Sequence, residues 1–230
     1  MKFGVIIFPG SNCDNDLINV LQKVSGGTVE QLWHKDTDLK GCTHIFVPGG
    51  FSYGDYLRSG AIAKLSPVMD SVSTHAANGG FVMGICNGFQ ILCESGLLPG
   101  ALLRNEKQKF ICKNVHLKCE NTNTSISSKL TDKPCYQIPI AHAEGRYYAD
   151  EATIATLNAN GQIIFRYADE NGMVNADSNP NGSTDNIAGI ANEGFNVFGM
   201  MPHPERAASD VLRNTDGLAF FTALLEKELA

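Results

Sequence analysis

Charged residues are scarce in this chain of 230 residues. They make up 18% of it, against about 25% in a typical soluble domain. Asp and Glu number 24 and Lys and Arg number 18, so the formal net charge is -6. Because nucleic-acid phosphates are bound by clustered Lys and Arg, this balance argues against a nucleic-acid-binding protein. A surface with so little charge is consistent with partial coverage by a partner protein.

Long hydrophobic segments are also lacking. The longest uncharged run, residues 71–93, contains several polar side chains and a Gly-Gly break at 79 and 80, so it does not suit a bilayer span. The N-terminal stretch MKFGVIIFPG has one Lys and only a short apolar run. It lacks the longer core and small-residue cleavage site of a signal peptide, so we expect none.

None of the seven cysteines belongs to a CxxC pair. An odd number of unpaired cysteines without a secretion signal predicts a cytoplasmic protein with free thiols. Cys112, His116 and Cys119 are a possible set of metal ligands. On a strand, however, Cys119 would face away from the other two, and no fourth ligand stands out. We therefore expect no metal site in this chain.

Short apolar runs in the first half of the chain predict buried strands that alternate with helices. The predicted strands are residues 3–8, 29–33, 44–47 and 81–85, and the clearest helices are 61–78 and 87–94. Such alternation is typical of a parallel sheet with helices on both faces. In the second half, strands are predicted within 101–120 and near 136–141, 162–167, 187–191 and 195–200, followed by a helix at 217–229. We predict a single α/β domain, residues 1–230, with a mixed, mostly parallel central sheet flanked by helices.

Residues 81–92, FVMGICNGFQIL, have the pattern of a nucleophile elbow with Cys86 as the nucleophile. Side chains two residues before and after the nucleophile would collide in so sharp a turn, and Gly84 and Gly88 avoid this. At the N-terminus of the following helix, the dipole favours the thiolate, and the N–H of Asn87 is free to stabilise an oxyanion. Alternatively, Cys86 is an ordinary small buried side chain, but the two glycines favour the catalytic interpretation.

His203 is the best candidate for the base among six histidines. It stands in the segment MPHPE, where a proline on each side favours extended backbone. In extended backbone, residues i and i+2 point the same way, so Glu205 would lie beside His203. Glu205 would then bind one imidazole nitrogen and leave the other for Cys86. The alternative is a surface loop with an incidental His–Glu pair.

Together these motifs resemble the class I, or triad, glutamine amidotransferases. The segments PGGFSYGD, MGICNGFQIL and MPHPE occur in that family's order. The longer runs FPGSNCDND, VPGGFSYGDYLRSGAIA, AHAEGRY and GMMPHPERA are similar to the glutaminase subunits of phosphoribosylformylglycinamidine synthases, which act in purine biosynthesis. The resemblance extends from residue 3 to about residue 210.

The resemblance implies a flavodoxin-like fold and the hydrolysis of L-glutamine through a cysteine thioester. It assigns roles to seven positions: Cys86 as nucleophile, His203 as acid and base, Glu205 as its orienting group, the N–H groups of Gly50 and Asn87 as the oxyanion hole, and Gln90 and His142 in substrate binding. The glycines of residues 47–52, read without the resemblance, suit either an oxyanion loop or a simple turn.

The resemblance also implies partner subunits. Ammonia would pass to a separate synthetase subunit that binds ATP, Mg and formylglycinamide ribonucleotide, and a small third subunit would complete the complex. The chain has no GxxxxGK[ST] phosphate loop, so we expect no cofactor in it. Two alternatives remain open: a stand-alone cysteine amidase or γ-glutamyl hydrolase, which would have the same triad, and a non-catalytic regulatory protein, which predicts a broken one.

Overall fold

The computed structural model describes residues 1–226 and has an α/β architecture. Its strands are β1 (Phe3–Ile7), β2 (Val29–Trp33), β3 (His44–Val47), β4 (Phe81–Ile85), β5 (Ala101–Leu103), β6 (Ile111–Cys119), β7 (Tyr136–His142), β8 (Arg146–Tyr148), β9 (Ile163–Ala168), β10 (Ile187–Ala191) and β11 (Val197–Met200). Its α-helices are α1 (Asp14–Ser25), α2 (Pro67–Ala77), α3 (Asn87–Glu94), α4 (Glu151–Ala159) and α5 (Leu218–Glu226).

The main sheet has the strand order β2-β1-β3-β4-β11-β10-β9-β6-β7, and β5 pairs separately with β8. From β2 to β11 neighbouring strands are parallel, whereas from β11 to β7 they are antiparallel. The predicted α/β class with a mixed central sheet flanked by helices is therefore confirmed. Its parallel half consists of the four strands predicted in the first part of the chain together with β11, and it carries the elbow.

The parallel strands are buried because helices cover both faces of this half of the sheet. Every residue of β4 is buried, and β1 and β3 are almost entirely buried. This is why their sequences are continuous apolar runs rather than an alternation of apolar and polar residues. By contrast, β7 alternates, with Ile138 and Ile140 facing the core and the residues between them more exposed.

Three helical regions differ from the sequence prediction. The predicted helix 61–78 is a short 3-10 turn followed by α2, which begins at Pro67, where proline's missing N–H costs nothing. Helix α4 was not predicted, because Leu157 is its one buried residue and its amphipathic pattern is weak. Its start is marked instead by Asp150, which accepts a hydrogen bond from the Thr153 N–H at 2.7 Å. In the predicted helix 217–229, α5 begins at Leu218, and the residues after 226 lie outside the described part.

The long uncharged run, residues 71–93, is divided between α2, β4 and most of α3. It is therefore not one continuous helix, as the polar side chains within it indicated. Among residues 1–226, no helix is both long enough and apolar enough to cross a membrane.

The carboxyl ends of three adjacent parallel strands meet at one edge of the sheet. β3 leads into the glycine loop, β4 into Cys86, and β11 into the segment that contains His203. The N–H of Cys86 donates to the carbonyl of Met200 at 2.8 Å, which ties the end of β4 to the end of β11. Ligand sites in parallel sheets lie at this edge, and the candidate site forms here.

Candidate active site

The turn at Cys86 is a strained nucleophile elbow. Cys86 has φ 51° and ψ -107°, a conformation that non-glycine residues rarely adopt. A Cβ atom at Gly84 would lie 2.6 Å from the carbonyl oxygen of Gly88, and a Cβ atom at Gly88 would overlap the carbonyl oxygen of Val47. Both glycines are therefore required by close backbone approach, as the sequence predicted.

His203 and Glu205 form a buried pair next to Cys86. The Nδ1 atom of His203 lies 2.6 Å from Oε1 of Glu205, and both residues are at most 4% exposed. A Cβ atom built on Gly49 would lie 2.8 Å from Cε1 of His203 and 3.4 Å from Cβ of Cys86, so these two side chains converge on Gly49. The structure thus brings the three predicted triad residues together.

The backbone around this pair differs from the extended segment that the prolines indicated. His203 has φ -105° and ψ 83°, but Pro204–Ala207 form a 3-10 turn. Proline fits the first position of such a turn because its own φ is already helical. The predicted pairing is present, although a turn rather than a strand produces it.

The pKa of His203 lies well above its usual value of 6.5. Burial by itself lowers this pKa, but the carboxylate of Glu205 and then the negative charge of Cys86 as a thiolate raise it and outweigh burial, with a smaller contribution from Cys13. These charges favour the protonated imidazole, with Nδ1–H donated to Glu205. Its Nε2 is buried and has no hydrogen-bond partner within residues 1–226.

Of the two predicted oxyanion donors, Asn87 directly follows the candidate nucleophile and Gly50 lines the same pocket as Cys86. Asn87 is the first residue of α3, so its backbone N–H has no acceptor one turn earlier in the helix. Gly50 has φ 132°, and a Cβ atom there would lie 2.6 Å from the backbone nitrogen of Asn12. The side chain of Asn87 accepts from the N–H of Ser52 at 3.0 Å, which links the glycine loop to the elbow.

A pocket of about 250 Å³ opens at Cys86. Four of the predicted site residues line it, namely Gly50, Cys86, Gln90 and His142, and so do three charged residues that the sequence patterns did not single out, Asp55, Arg104 and Glu144. The remaining lining residues are Phe51, Ser59, Ala141 and Ala143. A nucleophile, a possible oxyanion donor and groups of both charges thus face one cavity.

Gln90 lines the pocket, but its amide is already held by the protein. Its Nε2 donates to the carbonyl of Glu144 at 2.5 Å, and its Oε1 accepts from Nδ2 of Asn87 at 2.9 Å. Gln90 therefore joins α3 to the segment after β7, and any contact with substrate is made by a side chain that these two bonds already orient.

His142 is held in one tautomer by Asn105. The Nδ2 of Asn105 donates to the carbonyls of Lys109 and His142, which leaves its Oδ1 as an acceptor. That oxygen lies 3.0 Å from Nδ1 of His142 and also accepts from the N–H of Gly145. The proton of neutral His142 must therefore be on Nδ1. Its Nε2 is a bare acceptor, buried and without a partner in the described residues.

Replacing His142 by Gln is expected to change how the free energy of unfolding depends on pH. Burial, with a smaller contribution from His203, lowers the pKa of His142 from 6.5 to about 4. The unfolded chain therefore binds a proton that the folded chain does not. The free energy of unfolding of the wild type, measured relative to that of the variant, should be at its maximum above pH 6.5. It should fall by about 3 kcal/mol as the pH is lowered toward 4. Urea unfolding of both proteins at several pH values measures this, and a difference independent of pH would contradict it.

Three charged residues of the pocket were missed by the sequence patterns. Asp55 and Glu144 stand inside quoted motifs, FSYGD and AHAEGRY, but without spacing that marked them. Burial is the main cause that raises the pKa of Asp55 to about 6, and the charge of Glu144 adds to it. Arg104 lies 3.7 Å from Glu144 and had no local signal at all.

The cysteine–histidine set on β6 is not brought together as a metal site. Within the described part of the chain, the metal-ligating atoms that converge are those of Cys13, His203 and Glu205, which all lie within 4.8 Å of one another. The sequence around Cys13 gives no indication that this residue adjoins His203 and Glu205.

Comparison with known proteins agrees with this geometry. The sequence profile of the CobB/CobQ-like glutamine amidotransferase domain matches residues 1–217. Phosphoribosylformylglycinamidine synthase subunit PurQ of Koribacter versatilis is 56% identical over 98% of this chain and 97% of its own length. The corresponding subunit of Nostoc sp. is 54% identical over 100% of this chain and 99% of its own.

Solved structures give the same result. A chain of the PurLQS structure from Thermotoga maritima matches with a TM-score of 0.84 and 40% identity, over 99% of this chain and 100% of its own length. The glutaminase domain of Trypanosoma brucei CTPS, at 12% identity and a TM-score of 0.62, shares the fold over 98% of this chain and 94% of its own. This chain belongs to the CobB/CobQ-like glutamine amidotransferase family and, within it, to the PurQ subunits of phosphoribosylformylglycinamidine synthase.

Proposed function

We propose that this chain is the glutaminase subunit of a phosphoribosylformylglycinamidine synthase in purine biosynthesis. It hydrolyses L-glutamine and supplies ammonia to a synthetase subunit, which converts formylglycinamide ribonucleotide to formylglycinamidine ribonucleotide with ATP. The observation that carries this proposal is the buried Cys86, His203 and Glu205 arrangement in a chain that matches PurQ subunits along nearly its whole length.

The first half of the reaction forms a thioester. Cys86 attacks as a thiolate whose proton is held by His203. Its sulfur bonds to the side-chain carbonyl carbon of glutamine, and the carbonyl oxygen becomes an oxyanion that accepts from the N–H groups of Gly50 and Asn87. His203 gives its proton to the amide nitrogen and the carbon–nitrogen bond breaks. Ammonia departs, and a γ-glutamyl thioester remains on Cys86.

The second half returns the enzyme to its starting state. His203, now neutral, takes a proton from water while the water oxygen attacks the thioester carbon. The carbon–sulfur bond breaks, glutamate leaves, and Cys86 is again a thiolate beside a protonated His203. Glu205 keeps the imidazole oriented and stabilises its positive charge in both halves.

The charges of the pocket support recognition of a free amino acid. The carboxyl groups of Asp55 and Glu144 are placed to attract the α-ammonium group of glutamine, and Arg104 to attract its α-carboxylate. The bare Nε2 of His142 is suited to accept a hydrogen bond from the side-chain amide of the substrate. The same lone pair would repel the side-chain carboxylate of glutamate and so favour release of the product.

The surface around the pocket supports docking of the synthetase subunit. Phe51, Tyr56, Leu57 and Leu65 are between 45% and 79% exposed on the segment that follows the glycine loop, and Phe51 also lines the pocket. Exposed apolar patches of this kind mark protein interfaces. Ammonia leaving the pocket is lost to bulk water unless a partner covers this region, so we place the synthetase against it.

A glutaminase assay with and without the partners tests this function. We expect glutamate production to rise strongly when the synthetase and small subunits are added. Leu57→Asn should weaken that stimulation, and Asn tolerates the φ of 71° at this position. Met173→Asn is the matched control, since Met173 is also exposed (63%) but lies on a different loop. Full activity of the chain alone, with no effect of the partners, would favour the stand-alone amidase instead.

The remaining assignments follow from this function. ATP and Mg are bound by the synthetase, and this chain carries no cofactor of its own. The chain acts as one glutamine amidotransferase domain over residues 1–230. We place it in the cytoplasm, where thiols stay reduced, because its seven cysteines are free.

A further inference from the structure

A second buried thiol, Cys13, lies beside His203 and Glu205 and takes no part in the bond-making steps of the proposed mechanism. It is 2% exposed and stands just before α1, in the motif FPGSNCDND. Its Sγ, a ring nitrogen of His203 and a carboxylate oxygen of Glu205 are within 4.8 Å of one another. Cys42 is also buried, at 6% exposed, but it packs against Gly4 rather than against the candidate catalytic groups.

The three groups are the ligand types that Zn²⁺ prefers: a thiolate, an imidazole and a carboxylate. Two of their atoms are buried and have no hydrogen-bond partner in the described residues, namely Nε2 of His203 and Oε2 of Glu205. The reaction explains why Nε2 of His203 has no partner, but it does not explain the unpartnered Oε2 of Glu205. A buried carboxylate oxygen without a partner is costly and indicates unused binding capacity.

The surrounding charges favour reversible rather than permanent binding. The Nη2 atom of Arg206 lies 3.2 Å from Sγ of Cys13, and its Nε lies 3.0 Å from Oδ2 of Asp16. The positive charge of the guanidinium competes with a cation for this sulfur atom, while Asp16 offsets part of that charge.

A crevice of about 220 Å³ offers an entrance separate from the glutamine pocket. It is lined by residues of α1 and of the segment after the 3-10 turn, including Asp16, Val20, Ser209 and Leu212, and it reaches Glu205. The glutamine pocket does not include Glu205 in its lining. A small cation can therefore approach Glu205 from the side of α1.

We propose that Cys13, His203 and Glu205 form an inhibitory site for a thiophilic divalent cation, Zn²⁺. The proposal rests on the proposed function, because it takes the catalytic pair as ligands. Binding of the cation releases a proton of the His203 imidazole to solvent and occupies the nitrogen lone pair, so the imidazole can no longer hold and transfer the proton of Cys86. Glutamine hydrolysis then stops, while the synthetase reaction with free ammonium continues, and a chelator reverses the effect.

The test is a Zn²⁺ titration of the assembled complex, with each variant scaled to its own activity without metal. In the wild type, low Zn²⁺ concentrations should abolish glutamine-dependent synthesis and leave ammonium-dependent synthesis intact. In Cys13→Ser, the Zn²⁺ concentration that inhibits glutamine-dependent synthesis should be at least ~10-fold higher, since loss of a thiolate ligand weakens binding by at least about 1.4 kcal/mol. Cys42→Ser is the matched control and should keep wild-type sensitivity. Equal sensitivity of Cys13→Ser and wild type overturns the proposal, because Cys86 and His203 alone would then bind the metal.

A binding measurement separates this site from the proposed function. In Cys86→Ala, which lacks the nucleophile, one equivalent of Co²⁺ should produce the absorption band of a thiolate–cobalt bond. The band should disappear in the double variant Cys86→Ala with Cys13→Ser. Absence of the band in folded Cys86→Ala overturns the metal site without affecting the glutaminase assignment, even if Cys13→Ser itself fails to fold.

Discussion

Replacing Cys86 by Ala is expected to abolish glutamine-dependent synthesis while the assembled complex still uses free ammonium. The substitution removes the atom that forms the thioester, and no other group in the pocket can replace it. Loss of a triad nucleophile lowers kcat by ~10⁴-fold or more. The side chain is only 5% exposed, and Ala fits the same space, so the fold and the contacts with the synthetase should be retained.

Two assays on the same complex measure this effect, one with glutamine and one with an ammonium salt. Cys93→Ala is a suitable control, because Cys93 lies on α3 one residue before its end and has no contact with the pocket. It should keep both activities. If Cys86→Ala lost ammonium-dependent synthesis as well, the residue would be structural and the ammonia-donor role would be wrong. Retention of glutamine-dependent synthesis would contradict its role as nucleophile.

Replacing Gly88 by Ala is expected to destabilise the fold strongly. The added methyl group would overlap the carbonyl oxygen of Val47, which is backbone and cannot rotate away. Overpacking of a rigid core costs about 1–3 kcal/mol, and more where backbone must move, so we expect ~3 kcal/mol or more. Any protein that still folds should have low glutaminase activity, because α3 and β3 would separate and move Asn87 away from Gly50.

Chemical unfolding and glutamine hydrolysis measured on the same preparation test this second prediction. Gly27→Ala is the matched control, since a Cβ atom there would meet nothing closer than Oγ of Ser25 at 3.7 Å. It should be close to wild type in both measurements. Wild-type stability of Gly88→Ala would mean that β3 and α3 are less tightly joined than the elbow requires.

The triad could be predicted from sequence because each part of it is a local motif. The glycines around Cys86 are required by a turn of five residues, so their spacing is visible in the chain. His203 and Glu205 are so close in sequence that they pair even though the predicted local backbone conformation is wrong. The extended segment expected there is a 3-10 turn, yet Nδ1 and Oε1 still meet at 2.6 Å.

The residues that sequence reasoning missed act over long distances in the chain. Asn105 is fully buried and orients His142 across two loops, but nothing around it marks it as more than a turn residue. Arg104 reaches the pocket next to Glu144 in the same way. Cys13 adjoins His203 only because the start of α1 packs against the turn after β11.

The amino-acid sequence by itself determined the fold class, the family and the candidate nucleophile, because strand periodicity, tight turns and short motifs depend on neighbouring residues. The tertiary structure decided which groups share a cavity. Parallel strand order places the ends of β3, β4 and β11 side by side, and this order follows from packing between distant segments. The low charged fraction is consistent with a partner interface, which we propose lies at the exposed apolar residues beside the pocket. The tautomer of His142, the raised pKa of His203 and the second thiol likewise depend on burial and proximity, which only the folded chain creates.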